Sequence, residues 1–192
     1  MTQYVTEVDV ANRNTSHTLV TELVGAGHRV LDVGCSTGYL ASVLKSAGNE
    51  VSGIEVDRAA ADQARPFLRQ LVVGDLNTLS LADAFAGVQF DRVVLADVLE
   101  HITNPGAVLR DIKGLLGPDG KLVVSMPNVS HGSLRLALLE GSWRYTTVGL
   151  LDQTHIRFYT LETIVGMLAD AGYAVEEAWA TLADPLRTHG GI

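Results

Sequence analysis

The sequence predicts an α/β fold: a doubly wound, mostly parallel sheet in one domain, with a helical lid inserted after the fifth strand. Three observations predict it. Short apolar runs alternate with helical patterns along the chain, as they do when helices cover both faces of a parallel sheet. A glycine-bearing turn, Asp32 to Gly38, joins the first of these runs to a helix. Acidic residues recur just past the ends of successive strands, where open sheets bind ligands.

Composition bounds what such a fold can do. The 192 residues fit one domain spanning 1–192, and at 47% apolar they can bury a substantial core. Cys35 is the single cysteine, so no internal disulfide can form and a reducing compartment is expected. The opening MTQYVTEVDVANRN has no cationic stretch followed by an apolar run, as a signal peptide would. No segment approaches the roughly 18 apolar residues that span a bilayer. A net charge of -8 disfavours nucleic acid and anionic membranes, which need a cationic surface. The expectation is an acidic, soluble, cytoplasmic protein.

The elements follow in order. Residues 28–33 form a buried strand and 39–47 the helix after it. A strand at 50–55 leads to an Ala-rich helix over 58–69, and a third strand spans 71–74. The fourth, 90–96, precedes a helix over 104–116 that stops at Gly117-Pro118. Asp119-Gly120 turns the chain into a fifth strand, 121–126. Residues 128–158 are too long for an ordinary connection. They carry a short helix over 133–140, and their position at the carboxyl end of a strand makes a substrate lid the preferred reading over a surface decoration. A helix over 161–171 and a strand over 173–180 close the pattern. Beyond Ala180 the stretch TLADPLRTHGGI has no strand pattern, so a further strand is expected to be absent or very short. An edge left open in that way favours a homodimer.

The turn Asp32-Val-Gly34-Cys35-Ser36-Thr-Gly38 lets backbone approach a ligand and offers free amides at a helix start. Its glycine spacing differs from the Gly-x-Gly-x-x-Gly of dinucleotide folds. Asp32 would repel a pyrophosphate but suits a cationic methionyl group, which favours a sulfonium nucleoside over NAD. Glu55 closes the second strand where a carboxylate accepts ribose hydroxyls. Asp75, in Gly74-Asp75-Leu76, can reach an exocyclic adenine amine. Any one of these acids could instead cap the following helix.

At these residues the chain resembles class I S-adenosylmethionine-dependent methyltransferases, from about Val30 to Ala180. VLDVGCSTG is similar to their first motif with Ser36 in place of a middle glycine, GIEVD to the ribose motif and GDL to the adenine motif. FDRVVLADVLEHI resembles the fourth-strand motif of a branch that includes ubiquinone-pathway O-methyltransferases. MPNVSH and LLDQTHIRFYT resemble bacterial enzymes of saccharide and natural-product pathways. The resemblance implies S-adenosylmethionine as cofactor, held by Asp32, Gly34, Cys35, Ser36, Gly38, Glu55, Asp75, Leu76 and Asp97.

Methyl transfer from a sulfonium is mainly alignment, but an oxygen nucleophile also needs its proton removed by a base or a metal. Asp97, Glu100 and His101 follow the fourth strand. They read as a capping box, Asp97-x-x-Glu100, or with His155 as a site for Mg²⁺, Mn²⁺ or Zn²⁺. DxxEH is similar to the ExxEH metal motif of small-RNA 2′-O-methyltransferases. The metal-free base is preferred, because the capping box accounts for both carboxylates. His155 is the first candidate base, oriented by Asp152, and His131 the second. Loop histidines are as often structural. Trp143 and Tyr145 can wall a ring-shaped acceptor or simply pack. Arg135 and Arg144 can hold an anionic acceptor, and Tyr4 can close over the cofactor. The expected function is O-methylation of a small-molecule acceptor, a saccharide or natural-product intermediate. The alternatives are N- or C-methylation and a non-catalytic cofactor-binding partner subunit.

Overall fold

The computed structural model of the chain describes residues 11–182. Five strands, β1 (Arg29–Val33), β2 (Glu50–Glu55), β3 (Leu71–Val73), β4 (Phe90–Ala96) and β5 (Leu116–Ser125), form a sheet in the order β3-β2-β1-β4-β5. Every pairing in it is parallel. The helices are α1 (Ser16–Val24), α2 (Tyr39–Ser46), α3 (Arg58–Ala64), α4 (Leu81–Ala84), α5 (Pro105–Leu115), α6 (Gly132–Leu139) and α7 (Leu161–Asp170). No helix among the described residues is long and apolar enough to cross a membrane.

Alternation along the strands divides the core in two. Leu31, Val33, Val93 and Leu95 pack with Leu109 and Ile112 of α5 on one face. Val30, Val51 and Val94 meet Val20 and Val24 of α1 and Leu40 and Leu44 of α2 on the other. Because both faces are covered, β1 and β2 are buried at every position after the first. Strand order reverses between β1 and β4, and open α/β sheets bind ligands outside the carboxyl ends at such a point.

Local chemistry sets the boundaries. Thr15, Asp57, Ser80, Asn104 and Thr160 each cap a helix through a side-chain oxygen. The helix expected over 58–69 stops at Ala64 and tightens into one 3₁₀ turn, Arg65–Phe67, because Pro66 has no amide hydrogen to continue it. β5 starts earlier than expected: Leu116 pairs with Phe90, then the register shifts so that Lys121 faces Arg92. α1 and α4 were not expected, since their apolar patterns are short.

The strand expected over 173–180 does not form. Side chains hold that segment instead of a ladder: the Tyr173 hydroxyl donates to the Leu109 carbonyl at 2.8 Å, Lys121 pairs with Glu176, and Leu182 exchanges two hydrogen bonds with Asn14. The segment and β5 both line one cleft, but no backbone ladder joins them. Leu182 shows no strand, and residues 183–192 of the unpatterned tail lie outside the described residues, as does Tyr4. The 128–158 insertion contains α6 and otherwise turns. An Asn128–Tyr159 bridge ties its base, with the Val129 amide donating to the Tyr159 carbonyl at 2.9 Å.

Two glycines give opposite expectations. Gly38 has φ +82°, and an added Cβ would lie 2.7 Å from the Ala64 Cα, whereas a Cβ at Gly166 inside α7 meets nothing within 4 Å. In chemical denaturation Gly38→Ala should cost about 2 kcal/mol or more. Gly166→Ala should add about 0.5–1 kcal/mol.

Candidate active site

After β1 the chain turns through Gly34, Ser36 and Gly38, all with positive φ. The Gly34 and Cys35 amides both donate to the Ile54 carbonyl at 2.9 Å. The Ser36 amide donates to Glu55 Oε2 at 2.8 Å, while Glu55 Oε1 accepts from the Asp57 amide at 2.8 Å. Glu55, at the end of β2, therefore clamps the loop. Gly34 leaves no room for a side chain, since a Cβ would sit 2.8 Å from a Val98 methyl. Ser36 holds φ 49° without being glycine, a conformation that costs an L-residue roughly 1–2 kcal/mol.

A continuous cleft of about 2100 Å³ opens over the strand ends, and Gly34, Ser36, Glu55, Asp75, Leu76 and Asp97 line it. Asp75 is exposed and starts a turn, its Oδ1 accepting from the Asn77 amide at 2.9 Å. Asp32, Cys35 and Gly38 are not part of the lining. Cys35 turns down onto Gly53, and burial raises its thiol pKa. Asp32 is 1% exposed and its Oδ2 has no hydrogen-bond partner among the described residues. Burial first, and the Glu55 charge second, push its carboxyl up to about 7.

The capping box expected at Asp97 and Glu100 does not form. A 3₁₀ turn, Leu99–His101, follows β4 without a side-chain cap, and the next helix starts only at Asn104. Asp97 sits at φ 54°, which turns its carboxylate to accept from Ser125 Oγ at 2.9 Å. Glu100 goes inward. It is 1% exposed, neither carboxylate oxygen has a hydrogen bond among the described residues, and burial followed by the Asp97 charge pushes it up to about 8.

His155 Nε2 stands 3.9 Å from Glu100 Oε1, and the His101 and His155 rings meet edge-on at 4.9 Å. Ligand atoms of Glu100, His101 and His155 all lie within 4.8 Å of one another; Asp97 is not among them. His101 Nδ1 meets the Thr154 carbonyl at 3.1 Å and His155 Nδ1 the Leu150 carbonyl at 3.3 Å. A carbonyl can only accept, so each Nδ1 carries a proton, and in the neutral ring Nε2 keeps the lone pair. Burial, then His101, lower the His155 pKa and favour that neutral form. The segments are stapled together by Ile156 and Arg157, whose amides donate to the Glu100 carbonyl at 3.0 and 3.1 Å. The Arg157 side chain adds bonds to the carbonyls of Ile102 and Thr103. Arg157 was not singled out from the sequence.

Other expected residues take different places. Asp152 does not hydrogen-bond the His155 ring: its Oδ1 accepts from the Thr154 amide and hydroxyl at 2.8 and 2.7 Å, and the Leu150 carbonyl orients the imidazole. His131 lines the cleft but caps α6, its Nδ1 accepting from the Ser133 amide at 3.3 Å. Trp143 packs edge-on against Phe158 at 5.2 Å and against Tyr145 at 6.5 Å, outside the lining. Arg135 and Arg144 are exposed, with no ion pair among the described residues. One pair in the lining had no sequence expectation: His17 Nε2 lies 3.3 Å from the Tyr39 hydroxyl. Its only signal was the Thr15 cap of a helix too short to read.

A family model described as a methyltransferase domain matches residues 10–178. A ubiquinone biosynthesis O-methyltransferase of Xanthomonas euvesicatoria is 30% identical over 177 residues, covering 90% of this chain and 73% of that protein. The protein of the same name from Ruegeria pomeroyi is 34% identical over 158 residues, 80% of this chain and 63% of that one. Magnesium protoporphyrin IX methyltransferase from Synechocystis, solved with bound SAH, superposes with a TM-score of 0.66 at 22% identity. That match covers 93% of this chain and 80% of the other, and it shows a shared fold.

The raised pKa of Asp32 has a sign. Between the ordinary carboxylate range and about 7 the folded chain holds a proton that the unfolded chain has released. Ligand-free stability therefore falls as pH rises across that window and levels off above it. Thermal melts from pH 5 to 8 should show the decline, and Asp32→Asn should lessen it, leaving the share that the raised Glu100 carboxyl contributes over the same window. An unchanged slope in the variant would mean that Asp32 is ionised in the folded protein.

Proposed function

The chain belongs to the methyltransferase domain family and is an S-adenosylmethionine-dependent methyltransferase, and on that premise we propose that it methylates a hydroxyl of a small-molecule acceptor, a saccharide or natural-product intermediate. The carrying observation is the cluster Glu100, His101 and His155 on the cleft that the cofactor loop also lines. An oxygen nucleophile must lose a proton, and this cluster supplies the lone pairs to take or stabilise it. N- and C-methylation make a weaker demand. The names of the relatives support the same choice.

In this reading Glu55 receives the ribose, Asp75 and Leu76 the adenine, and Gly34, Ser36 and Asp97 the methionyl side. Asp32 supports the loop from below and ionises beside the sulfonium. The 128–158 insertion serves as a lid that brings His155 to the acceptor and excludes water.

A divalent cation fits the cluster. Glu100 offers two buried oxygens with no hydrogen bond among the described residues, and both histidines have Nδ1 committed to a backbone carbonyl, the arrangement that fixes an imidazole for ligation through Nε2. Two imidazoles with one carboxylate suit Mn²⁺ or Zn²⁺ better than Mg²⁺. Bound there, the cation would lower the pKa of an acceptor hydroxyl. The reason for preferring a metal-free base was the capping box, which the structure lacks. His155 acting alone is the second reading, supported by its neutral, oriented ring.

Chelation separates the two. In a screen of phenols, sugars and amines with labelled S-adenosylmethionine, turnover should appear with hydroxyl acceptors, vanish in EDTA and return with Mn²⁺ or Zn²⁺. Glu100→Gln should abolish turnover and leave cofactor affinity within about twofold, while His155→Ala should cost roughly 10²- to 10⁴-fold. Chelator-resistant activity that still needs His155 would select the metal-free base. Activity on amines alone would overturn the hydroxyl reading.

A further inference from the structure

We propose that His17 and Tyr39 receive the carboxylate at the amino-acid end of the cofactor. The inference rests on the cofactor placement given above. With the adenosine at Glu55 and Asp75, on the β2 and β3 side, a molecule lying across β1 presents its other end toward β4. There the cleft is lined by Asp97 and by the first turn of α1, including Thr15, Ser16 and His17. That end carries an ammonium and a carboxylate. Acids are at hand for the ammonium in Asp97 and, below the loop, Asp32.

The carboxylate needs donors, and few are in range. Arg13 is committed to Glu22 through two bonds of 2.8 Å. Lys121 is paired with Glu176, and Arg92 stands beside it in the register at the far ends of β4 and β5, below Asp97 and Ser125. His101 and His155 belong to the Glu100 cluster, and His131 caps α6. His17 is the cation-forming side chain of the lining that touches the cofactor loop, through Tyr39, the residue after Gly38.

The pair is built to donate. The His17 and Tyr39 rings meet edge-on at 5.1 Å with Nε2 and the hydroxyl 3.3 Å apart. A neutral imidazole and a phenol hold two polar hydrogens between them, and their mutual bond uses one, so one donor remains for a ligand. Taking up a proton adds another. In α1, Thr15 Oγ1 accepts from the Thr18 amide, and the Ser16 and His17 amides have no intrahelical acceptor. The helix start adds its positive end to the same place. Burial lowers the His17 pKa and favours the neutral ring, with the Asp97 charge opposing that shift, so the donor the pair offers is the one its neutral form leaves over.

The test reads binding rather than turnover. Calorimetry compares S-adenosylhomocysteine with its decarboxylated analogue, 5′-deoxy-5′-(3-aminopropylthio)adenosine, on the intact chain. His17→Ala should weaken S-adenosylhomocysteine by about 10- to 100-fold, the size of a charge-assisted hydrogen bond, and leave the analogue within about twofold. Tyr39→Phe should do the same to a smaller extent, and His17→Gln, which keeps a donor, should recover most of the loss. Equal weakening of both ligands would mean that His17 only supports the fold, and unchanged binding of both would remove it from the site; either result overturns the inference. Glu55→Gln tests the placement separately. It should weaken both ligands alike, and if it touches neither, the cofactor placement itself fails.

Discussion

The hydrogen bond from the Ser36 amide to the Glu55 carboxylate holds together what the rest of the site is arranged around. Three residues of the loop occupy left-handed backbone, a region that a free chain seldom visits. The loop keeps that shape because the end of β2 accepts from it three times, twice through the Ile54 carbonyl and once through Glu55. The register of β1 against β2, Val33 beside Ile54, delivers those acceptors. The geometry of the loop is thus a property of sheet pairing, and the loop sequence contributes mainly by tolerating the turn. Glu55 is pre-oriented by the same bonds, so little ordering is left for a ligand to bring about.

Against that satisfied network stand two buried acids with carboxylate oxygens that have no hydrogen bond among the described residues, one oxygen of Asp32 under the loop and both of Glu100 past β4. Unpaired buried carboxyls are costly, and they persist where a ligand or ion completes them. They flank the point where strand order reverses, β1 carrying one and the exit of β4 the other. Around Glu100 the complement is already arranged: two imidazoles with their second nitrogens fixed by backbone carbonyls, and Arg157 joining the insertion to the turn after β4. Nearly all of these anchors are main-chain oxygens.

That explains what could be read in advance. Strands, their parallel order and the acids at their ends are periodic or positional features, and 28–33, 50–55 and 90–96 lie where the structure has them. Glu100, His101 and His155 were recognisable as residue types, but their convergence depends on carbonyls of Leu150 and Thr154, which carry no sequence signal. The Asp97 box failed for a related reason: the same four letters describe a helix cap or a strained turn, and the left-handed backbone at Asp97 decides between them. Residues 173–180 have the composition of a strand, yet composition cannot tell whether a neighbouring edge is within hydrogen-bonding distance. His17 was invisible because α1 is only 9 residues long and its apolar pattern is brief.

The adjacency of β1 and β4 carries a kinetic consequence. Val30 pairs with Arg92 and Val33 with Leu95, so the reversal point joins strands that α2, β2, α3, β3 and α4 separate in the sequence. Pairings this distant in sequence are slow to form, because chain entropy is lost before contacts compensate for it. No early fragment of the chain can contain both halves of the binding cleft. A partly folded molecule, whether newly synthesised or locally opened at β4, has no site to offer, so cofactor recognition reports on completion of the whole sheet. The cofactor, by binding only the closed form, then acts as a mass-action brake on unfolding.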